Sequence, residues 1–159
     1  MSVQLRDVLG DLVSVNHRLT RVAARAARGT ESPALWRTLS VLASTGPIRL
    51  GELADLSRVS QPTATKLVGS LVARGWIERT SDPADARVSL VAGTPAGRAA
   101  LLAWRTELAD ALMPSFADLP AADVETLERA VAILRDRVEV TERMAATRQP
   151  GADTAVTDR

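Results

Sequence analysis

The chain has 159 residues, of which 46% are hydrophobic and 25% charged, the balance of an ordinary globular protein with a single domain. It contains no cysteine, which excludes disulfides, thiolate metal ligands and thiol-based redox sensing. No apolar run approaches the roughly 20 residues of a membrane-spanning helix. Charges at Arg6, Asp7 and Asp11 interrupt the apolar core that a signal peptide needs, so we expect a cytoplasmic protein.

The net charge of +1 conceals an uneven distribution along the chain. Residues 57–98 carry six basic and three acidic side chains, whereas residues 107–159 carry six basic and eleven acidic ones. Two interpretations remain open: ordinary scatter of charge over helix surfaces, or a basic functional surface in the middle of the chain.

Apolar residues at three- and four-residue spacing predict a long first helix over 3–28. Its stripe consists of Leu5, Val8, Leu9, Leu12, Val13, Asn16, Leu19, Val22, Ala23 and Ala26. Gly29 follows as a suitable stop. Ser32 and Pro33 then supply the N-cap and the first residue of a second helix, which we expect to end at Gly46.

A short helix is predicted over 51–57, followed by a tight turn and a longer helix that Ser60 caps. The longer helix runs to about Arg74, and Gly75 is suited to leave it in a left-handed conformation. Spacing of three and four residues predicts one buried stripe along it: Ala64, Leu67, Val68, Leu71 and Val72.

Residues 76–79 and 88–91 have the composition of two short strands, and 48–49 has room only for a small third strand. The segment 81–86 between the two strands is too long for a two-residue turn, which indicates a hairpin with an extended, charged tip, or wing. Helix, turn, helix and wing in this order predict a winged helix-turn-helix, an architecture that points to DNA.

The remainder of the chain is predicted to be helical. Thr94 and Pro95 open one helix, which Pro114 kinks or ends. A last helix after Pro120 carries an a/d seam, typical of a helix that packs against another helix of the same chain or of a partner. The seam consists of Val124, Leu127, Val131, Leu134 and Val138. The tail over 146–159 lacks periodicity, and we expect it to be disordered.

Small polar residues lie opposite the buried stripe of the predicted helix over 60–74, so nothing bulky keeps it from a major groove about 12 Å wide. The residues expected to contact DNA are Ser60, Gln61, Pro62, Thr63, Thr65, Lys66 and Arg87. Gln61 suits an adenine, and Lys66 suits a guanine or the backbone. The two threonines suit a thymine methyl group or a phosphate. Taken alone, this helix is more simply a surface helix with a polar outer face, but the elements around it favour DNA.

Arg87 follows the wing tip, beside Asp82 and Asp85. An arginine there is able to enter a narrow A·T-rich minor groove, where negative potential is concentrated. We expect the two aspartates to restrain the loop through turn hydrogen bonds and contact with Arg87. A salt bridge within the loop that has no role toward DNA is the alternative.

The chain resembles the MarR family of bacterial transcription regulators over about residues 3–145. The resemblance is carried by the wing segment DPADAR (82–87), by TPAG (94–97) and by the segments 59–68 and 71–77. It implies a homodimer in which the first and last helices of both subunits intertwine. Each winged helix-turn-helix would bind half of a palindromic DNA site, with Arg87 in the minor groove. The chain departs from the family at Ala86, where many members have an arginine, and at Gly93, where a leucine is usual.

We therefore expect a mostly α fold with a small β-hairpin wing. A winged helix-turn-helix DNA-binding domain over 32–95 would stand beside a helical dimerisation region formed by 1–30 and 96–145. The predicted function is a sequence-specific, homodimeric transcription regulator of the repressor type. The alternative is a winged-helix module that binds protein, which would expose large apolar residues on the outer face of 60–70.

An enzyme is not expected, and no cofactor or metal is predicted. One histidine and no cysteine leave neither a nucleophile–base pair nor a histidine-rich zinc site. There is also no glycine-rich loop of the kind that cradles phosphates.

Many members of the family bind small phenolic or other anionic molecules. His17, Arg21, Trp36 and Trp104, with Arg49, form the candidate wall of such a site here, since a cation beside indole rings suits an aromatic acid. Core packing is the commoner role of tryptophan. For His17, a buried or interfacial residue with a hydrogen-bond partner is the simpler interpretation.

Overall fold

The computed structural model, which describes residues 2–27, 29, 31–82, 85 and 87–148, is mostly helical with three short strands. The elements are α1 (Ser2–Ala26), α2 (Pro33–Thr45), β1 (Ile48–Arg49), α3 (Leu50–Ser57), α4 (Gln61–Ala73), β2 (Ile77–Ser81), β3 (Ser89–Gly93), α5 (Pro95–Leu112), a 3-10 turn (Met113–Ser115) and α6 (Ala121–Arg148). The chain divides into two compact units, 1–114 and 115–159. Among the described residues, no helix combines the length and the apolar character needed to cross a membrane.

The predicted helix caps are confirmed. The side chains of Ser32, Ser60 and Thr94 each accept a hydrogen bond from the backbone N–H three residues further on, at 3.2, 3.4 and 3.1 Å. Each of these caps satisfies a donor that the first turn of a helix otherwise leaves without a partner. Gly46 and Gly75 follow α2 and α4 with φ of 78° and 70°, a conformation that disfavours residues with a Cβ.

The sheet is antiparallel in the order β1–β3–β2, which confirms the small third strand. Ile48 pairs with Val91, and Ile77 pairs with Gly93. The prediction that a strand begins at Trp76 is wrong. The backbone N–H of Trp76 donates to the carbonyl of Leu71 at 3.0 Å and so closes the end of α4, which leaves Ile77 as the first strand residue.

The hydrophobic core of the first unit lies between α2, α4 and the sheet. Its buried members are Leu35, Trp36, Leu39, Leu42, Ile48, Leu53, Val68, Leu71, Ile77, Val91 and Leu101. The predicted stripe of α4 is confirmed except at Val72, which is 38% exposed. Eight positions at 100° per residue put Val72 about 80° around the helix from Ala64, on the flank of the buried face.

Two long helices expose rows of large apolar side chains. On α1 these are Leu5, Val8, Leu9, Leu12, Val13, Val15 and Val22. On α6 they are Val124, Leu127, Val131, Ile133, Val138, Val140 and Met144. The α6 helix runs to Arg148, past the predicted start of the tail at 146. Residues 149–159, and the predicted end of the first helix at Arg28, lie outside the described residues.

Candidate nucleic-acid interface

The turn between α3 and α4 fixes how α4 leaves the core. Arg58 adopts a left-handed conformation with φ of 53°, which is uncommon for a residue other than glycine. The backbone N–H of Arg58 donates to Asp55 at 3.1 Å, and that of Val59 donates to Ala54 at 3.0 Å. These bonds close the end of α3 and bring Ser60 to the start of α4, so the two helices are joined by only three residues.

The outer face of α4 is polar and exposed, opposite a face that is fully buried. Ala64, Val68 and Leu71 are 0% exposed and hold the helix against the core. The exposed residues are Gln61, Pro62, Thr63, Thr65, Lys66 and Gly69. The structure thus brings five of the seven residues predicted to contact DNA onto one accessible helix surface.

The hydroxyl groups on this helix have local partners. Ser60 Oγ caps α4 and lies 2.8 Å from Thr63 Oγ1, while Thr65 Oγ1 donates to the carbonyl of Gln61 at 3.0 Å. Because both threonine hydroxyls are engaged within the helix, their methyl groups are the better candidates for a contact with thymine. The amide of Gln61 and the ammonium of Lys66 are left as the polar groups suited to base edges and phosphates.

Arg87 lies at the base of the wing, with 92% of its side chain exposed. Its backbone N–H and its Nε donate to Asp85 Oδ1 at 3.0 and 3.3 Å, which confirms the predicted restraint by Asp85. Asp82 contacts Arg49, with 3.5 Å between Oδ2 and Nη2. Arg49 therefore belongs to the wing and not to the small-molecule site proposed from the sequence. Pro83, Ala84 and Ala86 lie outside the described residues.

A cavity of about 280 Å³ lies between α1, α2 and α5. Trp36 and Trp104 are in its wall. Trp36 is also part of the core, so it is both a core residue and a cavity-wall residue. His17 and Arg21 are exposed on α1 and are not lining residues. On α1, Thr20 and Ala24 line the cavity. His17 lies nearly a turn before Thr20, and Arg21 lies about 100° around the helix from it.

The polar lining of the cavity differs from the prediction. It is formed by Thr20, Glu31, Arg37 and Ser40. Within the described part of the chain, no group of three or more histidine, cysteine or acidic side chains is able to hold a metal ion.

The sequence did not reveal that the three tryptophans stack on one another. The rings of Trp36 and Trp104 lie 4.9 Å apart at 8°, and those of Trp36 and Trp76 lie 5.4 Å apart at 25°. The guanidinium carbon of Arg74 lies 5.5 Å from the ring centre of Trp76, and Nη2 of the same residue forms an ion pair with Glu31. No spacing rule pairs groups 43 residues apart, so sequence patterns carry no signal for this contact.

Comparison with known protein families matches residues 32–89 to the MarR family. The match spans the whole segment from the cap of α2 to the first residue of β3. It covers the helix-turn-helix, β2 and the segment that joins β2 to β3, including Arg87, and leaves most of β3 outside.

Solved structures resemble a larger part of the chain. A probable transcriptional regulator from Pseudomonas aeruginosa is 32% identical, with a TM-score of 0.53, over 82% of this chain and 98% of that one. Wild-type MarR from E. coli in its apo form is 26% identical, with a TM-score of 0.59, over 79% and 96% of the two chains. BpsR from Bordetella bronchiseptica, whose DNA binding is regulated by 6-hydroxynicotinic acid, is 22% identical, with a TM-score of 0.52, over 80% and 92%.

Proposed function

Because this chain belongs to the MarR family of DNA-binding transcriptional regulators, which are not enzymes, we propose that it is a homodimeric repressor of promoters with a palindromic operator. The observation that carries this proposal is the exposed polar face of α4, whose opposite side is held against the core by buried residues. The exposed Arg87 of the wing is a second group suited to DNA. Bound across a promoter, such a dimer represses by occupying the DNA that other proteins need.

The chemistry of α4 supports insertion into the major groove. Its exposed surface carries one cation, Lys66, and short polar or methyl-bearing side chains. In the first turn of α4, Pro62 has no backbone N–H and that of Thr63 donates to Ser60 Oγ, so the backbone N–H of Gln61 is the candidate for a phosphate at that end. Among the residues we assign to base contacts, Gln61 recognises adenine and Lys66 recognises guanine or the backbone.

The wing supports a second contact in the neighbouring minor groove. Asp85 holds the backbone and Nε of Arg87 and thereby restricts the directions in which the guanidinium extends. Such an ion pair contributes only about 0–1 kcal/mol to stability because it is exposed. Its use is to preorganise a cation that a narrow groove attracts.

The exposed apolar rows on α1 and α6 support the homodimer. Fourteen large apolar side chains in rows along two helices are more than a soluble monomer usually leaves to water. We assign them to the dimer interface, with 1–30 and 96–145 as the dimerisation region and 32–95 as the DNA-binding domain. A two-fold dimer doubles the recognised site and spaces its two α4 helices about 34–36 Å apart, one turn of DNA.

The alternative is a winged-helix module that binds protein. It would require large apolar side chains on the outer face of α4, yet Val72 on the flank, at 38% exposed, is the large apolar residue nearest to that description. The outer residues of the first two turns are polar or small. This difference favours DNA.

Binding of the purified protein to a duplex from upstream of its own coding sequence, against a scrambled duplex of equal length, tests the proposal. We expect saturable preference for the upstream duplex at two subunits per site, with affinity that falls as salt rises. Light scattering on the same sample should give a dimer. Equal, weak binding to both duplexes and to fragments selected from a random library would reject the repressor in favour of the protein-binding module.

We further propose that the cavity binds a small aromatic acid that releases the DNA. Two stacked indole rings and the cation of Arg37 in the same lining suit a planar anion, and the volume of about 280 Å³ suits a single ring. The regulation of BpsR by 6-hydroxynicotinic acid supports the same ligand class. Arg37 here takes the part that the sequence suggested for His17 and Arg21.

Titration with 6-hydroxynicotinic acid and with benzoic acid tests the ligand class. All three tryptophans belong to one stack that reaches the cavity wall, so binding should change their emission. Affinity for the upstream duplex should fall over the same concentration range. Emission and DNA affinity that both stay constant up to millimolar acid would exclude this class of effector.

A further inference from the structure

Arg74 lies at the opposite end of α4 from the residues assigned to DNA. It is the C-cap of the helix, and its backbone N–H donates to Ser70 at 3.3 Å. Gln61 and Ala73 are the first and last residues of α4, which at 1.5 Å per residue separates them by about 18 Å. The guanidinium of Arg74 is thus remote from the first turn of the helix, where the proposed base contacts are concentrated.

The side chain of Arg74 is held from two directions. Its Nη2 forms an ion pair with the Oε1 of Glu31, which lies just before the Ser32 cap of α2. Its guanidinium carbon lies 5.5 Å from the ring centre of Trp76, within the range of a cation–π contact. Only 35% of the Arg74 side chain and 26% of the Glu31 side chain are exposed, so water screens this pair less than it screens a surface pair.

The end of α4 is in turn fixed to the start of α5. Thr94 Oγ1 donates to the carbonyl of Gly75 at 2.6 Å, and the backbone N–H of Thr94 donates to the carbonyl of Trp76 at 3.0 Å. Trp76 therefore has little freedom to move without α5. Its indole stacks on Trp36, which stacks on Trp104 of α5.

We propose that Arg74 is a positioning residue for DNA binding. Together, Glu31, Arg74 and Trp76 form a brace that sets the direction in which α4 presents its outer face. The inference rests on the proposed function, because it takes α4 as the helix that enters DNA. Glu31 and Trp36 also line the cavity, so the brace and the cavity share a wall.

A double-mutant cycle with Glu31→Gln, Arg74→Gln and the double variant tests the brace. Glu31→Gln keeps the length of the side chain, Arg74→Gln leaves a shorter polar side chain, and thermal melting establishes that each variant folds. Each single variant should bind the upstream duplex about tenfold more weakly, the size typical of coupling through a packed network. The double variant should lose no more than Arg74→Gln alone, since the two groups act as one pair.

The salt dependence separates positioning from contact. A brace residue touches no phosphate, so the slope of log affinity against log salt should equal that of the wild type in all variants. Arg105→Gln, which removes an exposed charge from α5 outside the brace and none of the apolar side chains assigned to the dimer interface, is the matched control. Light scattering should show that it is still a dimer, and it should bind like the wild type. A slope reduced by about one unit in Arg74→Gln would make Arg74 a phosphate contact and overturn the proposal. Additive losses, or no loss, would overturn it equally.

A readout without DNA distinguishes failure of the brace from failure of the proposed function. The near-ultraviolet circular dichroism of the stacked tryptophans should change in Arg74→Gln and by the same amount in the double variant. If the wild type does not prefer the upstream duplex but this signal behaves as stated, the proposed function fails and the brace stands. Unchanged dichroism in every variant would mean that Arg74 does not hold Trp76, and the brace would be rejected.

Discussion

Replacing Gly97 with alanine is expected to lower the free energy of unfolding by about 3 kcal/mol or more, beyond the usual cost of overpacking. A Cβ at Gly97 would overlap the carbonyl oxygen of Trp76 and lie 2.9 Å from its carbonyl carbon and 3.1 Å from its Cα. All three are backbone atoms, so no side chain is able to turn away. The carbonyl of Trp76 is also the acceptor for the backbone N–H of Thr94 at 3.0 Å, and moving it breaks the junction between α4 and α5.

Urea denaturation of Gly97→Ala beside Gly69→Ala checks this expectation. An added Cβ at Gly69, on the exposed side of α4, meets nothing within 4 Å. Gly69→Ala should therefore stabilise the protein by up to about 1 kcal/mol through helix propensity. Domains are stable by only about 5–15 kcal/mol, so Gly97→Ala should remove a large fraction of the free energy of unfolding. The urea concentration at the unfolding midpoint should fall accordingly. A midpoint equal to that of the wild type would show that α5 does not pack this closely on Trp76.

Gly97 also marks where local sequence patterns stop. Thr94 and Pro95 predicted the start of α5 because a cap and a helix-starting proline are local signals, and the cap is confirmed at 3.1 Å. The need for glycine three residues after the cap comes from the carbonyl of Trp76, which is distant in sequence and packs against α5 only in the folded chain. No pattern within the helix contains that information. The same holds for Trp76, whose sequence favoured a strand until the closing turn of α4 used its N–H.

The candidate ligand site separates local from tertiary information in the same way. The sequence names Trp36 and Trp104 for the wall because indole rings beside a cation suit an aromatic acid, and both are in the wall of the cavity. The predicted cations His17 and Arg21 have the right chemistry for an anion, but no pattern in the sequence says which residues of α1 face α2 and α5. The charged lining residues come instead from α2 and the loop before it, as Arg37 and Glu31.

Alanine at Arg87 or at Lys66 should weaken binding to the upstream duplex by about 10- to 100-fold, the cost of one good base or groove contact. The Arg87 side chain is 92% exposed, and within the described residues Asp85 is its ion-pair partner. Its truncation should therefore leave the fold and the dimer unchanged. Lys66 is exposed on the outer face of α4 and does not belong to the core. Melting temperature and light scattering of both variants should therefore match the wild type.

The salt series then says what each residue does. If Lys66 contacts a phosphate, the salt slope of Lys66→Ala falls by about one unit and all duplexes weaken equally. If Arg87 reads a narrow minor groove, Arg87→Ala loses most affinity for duplexes with A·T-rich flanks and least for G·C-rich ones, because groove width sets the potential that attracts the guanidinium. Arg105→Ala, with one exposed charge fewer on α5, should bind like the wild type. If Arg87→Ala and Lys66→Ala both bind with wild-type affinity, neither α4 nor the wing contacts DNA. The proposed interface would then be wrong for this chain despite the fold of the family.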